Sequence, residues 1–329
     1  MNEQTRPTEG TSASAAQSTA AAPRVAMLLD AAAARLAKAG VDTARHDAKL
    51  LLAEATGSTP SDVDKAALMD DTVDQFASAA EDGEHGNRPA PLAEFESMLA
   101  RREAREPLQH IVGHAPFRYL ELEVGPGVFV PRPETELVVQ EAIDWITAHG
   151  LYSPRVVDLC AGSGAIGLAI ATEVPGAQVW AVELDTQAAQ WTRRNMHKVG
   201  ERFPDLVANY RLEVADATCP VTLATLDGTA DVVISNPPYI PLTNVPQQPE
   251  VRDFDPDTAL YGGSADGMMI PERIIVRAAA LVRKGGLFVM EHDITQGDRT
   301  VAFARANGFT EARTHTDLTG RPRYLVATR

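Results

Sequence analysis

Residues 156–167 read Val-Val-Asp-Leu-Cys-Ala-Gly-Ser-Gly-Ala-Ile-Gly, a mainly apolar run that leads directly into three spaced glycines. The glycines are Gly162, Gly164 and Gly167, which is the spacing GxGxxG. Glycine at a strand-to-helix turn lets the backbone reverse tightly and come close to a ligand. The stretch therefore predicts a βα unit whose loop holds a nucleoside-containing cofactor, with a purely structural turn as the alternative.

Carboxylates near this loop indicate which cofactor it holds. Glu183 ends the next apolar run, where a carboxylate can accept hydrogen bonds from both ribose hydroxyls. The loop alone fits a dinucleotide or S-adenosylmethionine. Asp158 favours S-adenosylmethionine, because a carboxylate before the loop attracts the cationic methionine end and repels a pyrophosphate; the alternative is that Asp158 caps backbone N–H groups of the loop. Asp216, after the third strand, is placed to accept from the adenine amino group, with Ala217 against the ring.

Apolar strands alternate with amphipathic helices from this point to the end of the chain. The predicted strands are 155–159, 178–182, 210–214, 231–235, 287–291, 311–316 and 323–327, and the predicted helices are 165–173, 186–199, 271–282 and 297–307. Such alternation predicts an α/β fold with a mostly parallel, Rossmann-like sheet that carries helices on both faces.

A rigid polar turn follows the predicted strand 231–235. It consists of Asn236, Pro237, Pro238 and Tyr239. The prolines fix the backbone and lack N–H donors, which leaves carbonyl oxygens free to accept. The Asn236 side-chain oxygen and the Pro237 carbonyl can together grip the NH₂ of an amide or of an exocyclic amine, and Tyr239 offers a flat face for stacking. The alternative is a stiff turn without chemistry.

Composition restricts the classes of protein. The 329 residues carry a net charge of −15, which does not suit a protein that wraps duplex DNA. The two cysteines, Cys160 and Cys219, are too few for a disulfide framework, and a reducing cytoplasm fits them. No apolar stretch is long enough to span a membrane, and the histidines lack metal-ligand spacing, so neither a membrane nor a metal is expected.

Two further stretches make the pattern specific. Residues 130–136 read Val-Pro-Arg-Pro-Glu-Thr-Glu, and residues 259–263 read Ala-Leu-Tyr-Gly-Gly. With the glycine loop and the Asn-Pro-Pro-Tyr turn, they resemble the peptide chain release factor glutamine methyltransferases, the HemK/PrmC family. The resemblance runs from about residue 107 to residue 329; the helical pattern before it fits more loosely.

The resemblance implies a class I S-adenosylmethionine-dependent methyltransferase that modifies N5 of the glutamine in the Gly-Gly-Gln loop of class 1 release factors. The implied cofactor residues are Phe129, Asp158, Cys160, Ala161, Gly162, Ser163, Gly164, Glu183, Asp216, Ala217 and Asn236. The implied catalytic and substrate-binding residues are Asn236, Pro237, Pro238 and Tyr239. No direct nucleic-acid contact, membrane or metal is implied.

The expected domains are a disordered tail at 1–22, a small all-α domain at 23–106, a linking β-hairpin at 107–131 and the methyltransferase domain at 132–329. Helices are predicted at 24–39, 43–55 and 92–105, one or two short ones within 58–74, one at 134–149, and a polar loop at 78–91. In the hairpin, strand 120–124 is expected to turn at 125–127 and pair with 128–130. The alternative functions are an adenine N6 methyltransferase acting on DNA or RNA, a nicotinamide enzyme, and a cofactor-binding interaction protein without catalysis.

Overall fold

The computed structural model describes residues 22–80 and 90–329. The tail predicted at 1–22 lies outside the described residues except for Ala22, and so does most of the polar loop predicted at 78–91. The chain forms two compact units, the first ending at Leu99 and the second running from Ala100 to Arg329. The domain limits predicted at 106 and 131 stay predictions.

Helices make up the described part of the first unit. They are α1 (Val25–Lys38), α2 (Ala44–Thr56), α3 (Pro60–Leu68), α4 (Val73–Ala80) and α5 (Pro91–Glu103), which carries the chain into the second unit. The start of α3 is capped, because the Thr59 hydroxyl accepts from the Asp62 N–H and Pro60 takes the first helical position. Buried leucines at 29, 36, 51 and 52 lie at helical spacing along α1 and α2. The helices predicted at 24–39, 43–55 and 92–105 are confirmed, with ends shifted by one or two residues. Of the short helices expected within 58–74, α3 is present, whereas α4 begins at Val73 and continues into the start of the predicted polar loop.

The second unit contains the sheet. Its helices after α5 are α6 (Leu108–Val112), α7 (Thr135–Ala148), α8 (Ala165–Glu173), α9 (Thr186–Arg202), α10 (Leu206–Asn209), α11 (Pro249–Phe254), α12 (Asp257–Leu260), α13 (Met269–Leu281) and α14 (Gly297–Ala306). Its strands are β1 (His114–Phe117), β2 (Leu120–Glu123), β3 (Arg155–Leu159), β4 (Gln178–Glu183), β5 (Tyr210–Val214), β6 (Ala230–Ser235), β7 (Val282–Glu291), β8 (Glu311–Thr316) and β9 (Pro322–Thr328).

Seven strands form one sheet in the order β5-β4-β3-β6-β7-β9-β8. The five strands from β5 to β7 are parallel, whereas β9 pairs antiparallel with both β7 and β8. The strand order reverses between β3 and β6, which lie side by side although β4 and β5 separate them in sequence. Ligands bind at such a switch point, outside the carboxyl ends of the strands. The predicted mostly parallel α/β sheet is confirmed.

Both faces of the sheet are buried. Val156 and Val232 lie in one hydrophobic cluster, and their strand neighbours Val157 and Val233 lie in the other. Successive side chains on a strand point to opposite faces, so continuous apolar runs are what a sheet covered by helices on two sides requires. The same runs made these strands predictable.

The hairpin differs from its prediction. The strand predicted at 120–124 is present as β2, but its partner is β1, and residues 128–130 are not a strand. The expected turn at 125–127 instead packs on α9: the Pro126 carbonyl accepts from the Trp191 indole N–H and from the Gln187 side-chain amide. A Cβ on Gly125 would lie 2.7 Å from the Trp191 ring, so glycine here allows helix contact rather than chain reversal.

Some elements went unpredicted. The short helices α6, α10, α11 and α12 are too brief to show a helical period, and β7 begins five residues before its predicted start. Within the described residues, no helix combines the length and the apolar character needed to cross a membrane.

Because the 125–127 turn packs on α9, we expect a methyl group added at Gly125 to destabilise the protein. Gly125→Ala should lower the free energy of unfolding by about 1–3 kcal/mol, because the added Cβ overlaps the Trp191 ring. Urea unfolding of the wild type, Gly125→Ala, Trp191→Leu and the double variant measures the coupling. The alanine should cost less in the Trp191→Leu background, where the smaller side chain leaves room for the methyl group. An equal cost in both backgrounds would show that the effect arises elsewhere than at the indole.

Candidate active site

A cavity of about 460 Å³ opens at the carboxyl ends of β3, β4, β5 and β6, which is a volume typical of small-ligand pockets. Most of the predicted site residues line it. They are Phe129, Cys160, Ala161, Gly162, Ser163, Glu183, Asp216, Ala217, Asn236, Pro237, Pro238 and Tyr239. Four separate strand ends therefore contribute to one site, as parallel strands in one sheet allow.

The glycine loop is held in a left-handed backbone. Cys160, Gly162 and Gly164 have φ of 67°, 58° and 85°. Nothing lies within 4 Å of a Cβ built on Gly162, whereas one on Gly164 would lie 2.9 Å from the Thr192 methyl group. Glycine is thus required at 162 by its backbone angle and at 164 also by close packing. Burial raises the pKa of the Cys160 thiol, which is opposite to what a reactive cysteine needs.

Two side chains of helix α9 hydrogen-bond to the backbone of the glycine loop. The Thr192 hydroxyl donates to the Gly162 carbonyl at 2.7 Å, and the Asn195 amide donates to the Ser163 carbonyl at 3.0 Å. Both side chains are fully buried. Sequence reasoning missed these supports. The available signal was a pair of polar residues, three apart, on the buried face of an amphipathic helix.

Glu183 ends β4 and joins two loops. One carboxylate oxygen accepts from the Gly162 N–H at 2.7 Å, and the other accepts from the Asp185 N–H at 2.8 Å. The side chain is 9% exposed, and burial raises its pKa although these two N–H donors act to lower it. Each carboxylate oxygen has a second acceptor site, so Glu183 can still accept from a ligand in the cavity.

Two predicted cofactor residues, among those described, lie behind the cavity wall: Asp158 and Gly164. Asp158 is fully buried, and one of its oxygens accepts from the Gly167 N–H at 2.9 Å. Burial raises the pKa of Asp158 to about 7, and the nearby charge of Glu183 adds to this. The arrangement favours the capping alternative for Asp158 over contact with the methionine end of a cofactor.

Asp216, Ala217 and Phe129, also predicted as cofactor residues, line the cavity. One carboxylate oxygen of Asp216 accepts from the backbone N–H and the hydroxyl of Thr218, and Ala217 lies buried beside it. Phe129 faces the same cavity, and the Arg132 guanidinium stacks 4.7 Å from the centre of its ring. The Arg132 guanidinium also forms an ion pair with Asp255 at 2.8 Å.

The polar turn after β6 is anchored on both sides. The Ser235 hydroxyl donates to the Leu159 carbonyl at 2.7 Å, which ties the end of β6 to β3. The Asn236 amide nitrogen donates to the Thr135 hydroxyl at 3.4 Å. The Gln296 side chain donates to the Tyr239 carbonyl at 2.9 Å. Burial raises the pKa of the Tyr239 hydroxyl, so this group stays protonated.

Several lining residues were not predicted from the sequence. They include Thr135, Glu291 and Arg323, which come from α7, β7 and β9. Two of them had a sequence signal: Thr135 lies in the 130–136 segment that carries the family resemblance, and Glu291 is a carboxylate that ends a strongly apolar strand. The described residues contain no group of three or more His, Cys, Asp or Glu side chains placed to hold a metal ion.

The fold and the cavity together define a class of protein. The Glu183 carboxylate at the end of β4 can accept from the ribose hydroxyls of a methyl donor. The glycine loop, whose backbone a ligand can approach closely, suits the cationic methionine end of that donor. The Asn236 side-chain oxygen is free to accept a hydrogen bond, which suits a methyl-accepting nitrogen that carries N–H groups. The protein is a class I S-adenosylmethionine-dependent methyltransferase, and its cofactor is S-adenosylmethionine.

Comparisons with known proteins give the particular family. The model of the PrmC N-terminal domain matches residues 27–81 and 84–113, and that of conserved hypothetical protein 95 matches residues 110–248. The chain is 59% identical to the release factor glutamine methyltransferase of Bifidobacterium longum, over 91% of this chain and 98% of the relative. It is 48% identical to the one of Streptomyces coelicolor, over 72% and 82%. The chain belongs to the release factor glutamine methyltransferase family.

A relative with lower identity is named for a different methyl acceptor. The 4-amino-L-phenylalanine/4-methylamino-L-phenylalanine methyltransferase of Streptomyces pristinaespiralis is 37% identical, over 88% of this chain and 90% of the relative. Its name describes methylation of an aromatic amine.

The position of Glu183 predicts its effect on cofactor binding. Glu183→Ala should weaken binding of S-adenosylmethionine by about 10- to 100-fold, because charge-assisted hydrogen bonds are worth roughly 1.5–3 kcal/mol. Titration calorimetry measures the affinity. Glu213→Ala is the matched control, since this exposed carboxylate lies on the neighbouring strand β5 and should leave binding unchanged. Equal affinities in all three proteins would limit Glu183 to a structural role.

Proposed function

We propose that this protein transfers a methyl group from S-adenosylmethionine to the side-chain amide nitrogen of the glutamine in the Gly-Gly-Gln loop of class 1 release factors. One observation carries the proposal: the Asn236 side chain lines the same cavity as the cofactor loop, with its nitrogen engaged by Thr135 and its oxygen left to accept. An acceptor oxygen at this point suits an NH₂ group. The near full-length similarity to release factor glutamine methyltransferases supports a glutamine amide over adenine.

Residues of the β3, β4 and β5 ends hold the donor in this proposal. Backbone groups of residues 160–163 would hold its methionine end, Glu183 would accept from the ribose hydroxyls, and Asp216 would accept from the adenine amino group. Ala217 and Phe129 line the same cavity and would add apolar contacts to the bound donor. When bound, S-adenosylmethionine supplies an electrophilic methyl group on a positively charged sulfur. The acidic side chains of Glu183 and Asp216, which line the cavity, suit a ligand that carries positive charge.

Residues of the β6 end hold the acceptor. The Asn236 side-chain oxygen and the Pro237 carbonyl accept the two N–H groups of the glutamine amide, while Pro238 keeps the turn rigid and Tyr239 covers the side chain. An amide nitrogen is a weak nucleophile, because its lone pair is conjugated with the carbonyl. Two fixed acceptors orient this lone pair toward the methyl group and stabilise the positive charge that grows on the nitrogen.

Proton release follows methyl transfer. The glutamine nitrogen carries two N–H groups and gains a methyl, so one proton must leave to restore a neutral amide. A cation of this kind is strongly acidic, and water can take the proton. The site therefore needs alignment and fixed acceptors more than a strong general base.

Mass spectrometry tests the reaction directly. Incubation of a class 1 release factor with the protein and S-adenosylmethionine should add one methyl to the Gly-Gly-Gln peptide, at the glutamine. A factor with alanine in place of that glutamine is the control and should stay unmodified. An unmodified natural factor, together with methylation of adenine in DNA or of 4-amino-L-phenylalanine, would overturn the proposal.

Removal of the acceptor oxygen tests the mechanism. Asn236→Ala should lower kcat by about 10²–10³-fold, because this interaction strengthens as charge develops in the transition state. KM for the release factor should change far less, since uniform binding loss raises KM and leaves kcat alone. Single-turnover kinetics separate the two effects. Asn307→Ala is the control, because its amide donates to the Phe303 carbonyl at the end of α14, away from the cavity. Near wild-type turnover in Asn236→Ala would refute the acceptor role.

A further inference from the structure

The turn at residues 236–239 depends on side chains outside it. Two of its four residues, Pro237 and Pro238, have no N–H group, so the turn has few backbone donors with which to hold itself. It must nevertheless keep the Asn236 side chain and the Pro237 carbonyl at fixed positions in the cavity. The side chains that bond to the turn from outside therefore bear on what it can align.

Gln296 is such a side chain. It directly precedes α14, is 4% exposed and lies outside the cavity lining. Its amide nitrogen donates to the Tyr239 carbonyl at 2.9 Å and to the Asp266 carbonyl at 3.0 Å, which uses both of its hydrogens. Its amide oxygen accepts from the Asp293 N–H at 3.0 Å. One buried side chain thus bonds to the backbone of three separate loops.

These three bonds fix the orientation of the Gln296 amide. In the reversed orientation, the amide oxygen would face two carbonyl oxygens, and the NH₂ group would face an N–H donor. Buried polar groups that face like groups have no other partner to compensate them, and such an arrangement is costly. Both hydrogens of the amide are therefore directed at carbonyl oxygens.

The loop that carries Gln296 is itself fixed to the sheet. The fully buried ring of His292 lies 2.6 Å from the Thr314 hydroxyl of β8, at hydrogen-bond distance. The His292 N–H donates to the Arg323 carbonyl of β9 at 2.9 Å, and the Gln296 N–H donates to the Asp293 carbonyl at 2.9 Å. Gln296 therefore connects the turn to a rigid part of the fold.

The second carbonyl that Gln296 contacts belongs to another wall of the cavity. This wall is the segment 258–267, whose first three residues line the cavity. The segment pairs with the chain just after the turn, because the Ile240 N–H donates to the Leu260 carbonyl at 2.8 Å. A Cβ on Gly267 would lie 2.2 Å from the Tyr239 carbonyl oxygen, so the two backbones are in direct contact. The amide bonds to both of them.

We propose that Gln296 is a positioning residue that holds the turn at 236–239 in place for methyl transfer, without contact to either ligand. Its bond to the Tyr239 carbonyl fixes the end of the turn. The stiff prolines carry that position back to the Pro237 carbonyl and the Asn236 side chain. Misplacement of a reacting group by about 1 Å can cost about 10²-fold in rate. The consequence for catalysis rests on the proposed function, whereas the position of the turn is a property of the free protein.

Two substitutions at Gln296 test the consequence for the reaction. Gln296→Met and Gln296→Leu replace the three bonds by apolar contacts of similar or smaller size. Each should lower kcat about 10- to 100-fold, because the acceptor groups of the turn lose their alignment. The dissociation constant of S-adenosylmethionine should stay unchanged, since the donor is held at other strand ends. Titration calorimetry gives this constant and the fraction of binding-competent protein, and kcat is expressed per binding site.

Asn307→Ala is the matched control, because it also removes a side-chain amide bond of α14, at the end away from the cavity, and should keep kcat. Wild-type kcat in both Gln296 variants, with Asn236→Ala inactive, would overturn the positioning role and leave the proposed function standing. Loss of donor binding together with kcat would also overturn it, since Gln296 would then support the fold as a whole.

A carbonyl signal tests the positioning without any activity. Tyr239 is the only tyrosine in the chain that isoleucine follows, so labelling with ¹³C-carbonyl tyrosine and ¹⁵N-isoleucine gives a single cross peak in an HNCO spectrum. The peak reports the carbonyl that accepts from Gln296. It should move upfield in the carbonyl dimension in Gln296→Met, because that carbonyl loses a hydrogen bond, and keep its position in Asn307→Ala. An unmoved peak in Gln296→Met would overturn the inference, whether or not the protein methylates a release factor.

Discussion

A buried carboxylate connects the two strand ends on which the site is built. Glu183 accepts one N–H from the loop after β3 and one from the loop after β4, so a single side chain sets the distance between them. Because the carboxylate is almost fully buried, loss of either donor would leave an acceptor unsatisfied at a cost of about 1–3 kcal/mol. The left-handed backbone at Gly162 is what turns its N–H toward Glu183. The shape of the cofactor side of the cavity follows from this contact.

Helix α9 also supports the cofactor side of the cavity. Its buried face holds the glycine loop through Thr192 and Asn195, and its more exposed face holds the turn at 125–127 through Trp191 and Gln187. The turn leads directly to Phe129, which lines the cavity. One helix therefore positions two walls that are far apart in sequence, and a change on α9 can reach the site without touching a ligand.

The part of the cavity around Asn236 depends instead on the order of the strands in the sheet. Asn236 directly follows β6, Glu291 ends the adjacent strand β7, and Thr135 begins α7, which packs against both strands. The three side chains meet because parallel neighbours end at the same edge of the sheet.

Much of this protein could be predicted from local sequence. The strands Arg155–Leu159, Tyr210–Val214 and Glu311–Thr316 have the ends that their patterns predicted, and the Asn-Pro-Pro-Tyr turn lies at a strand end as expected. Apolar runs and glycine spacing act over a few residues, so the sequence alone determined the α/β class, the cofactor loop and the polar turn. Tertiary structure decided the partner of β2, the placement of Asp158 behind the cavity, and the meeting of Thr135 and Glu291 with Asn236. Those outcomes depend on contacts between residues tens of positions apart, such as the Trp191 ring on Gly125, and no local pattern records which distant side chain will fill a given space.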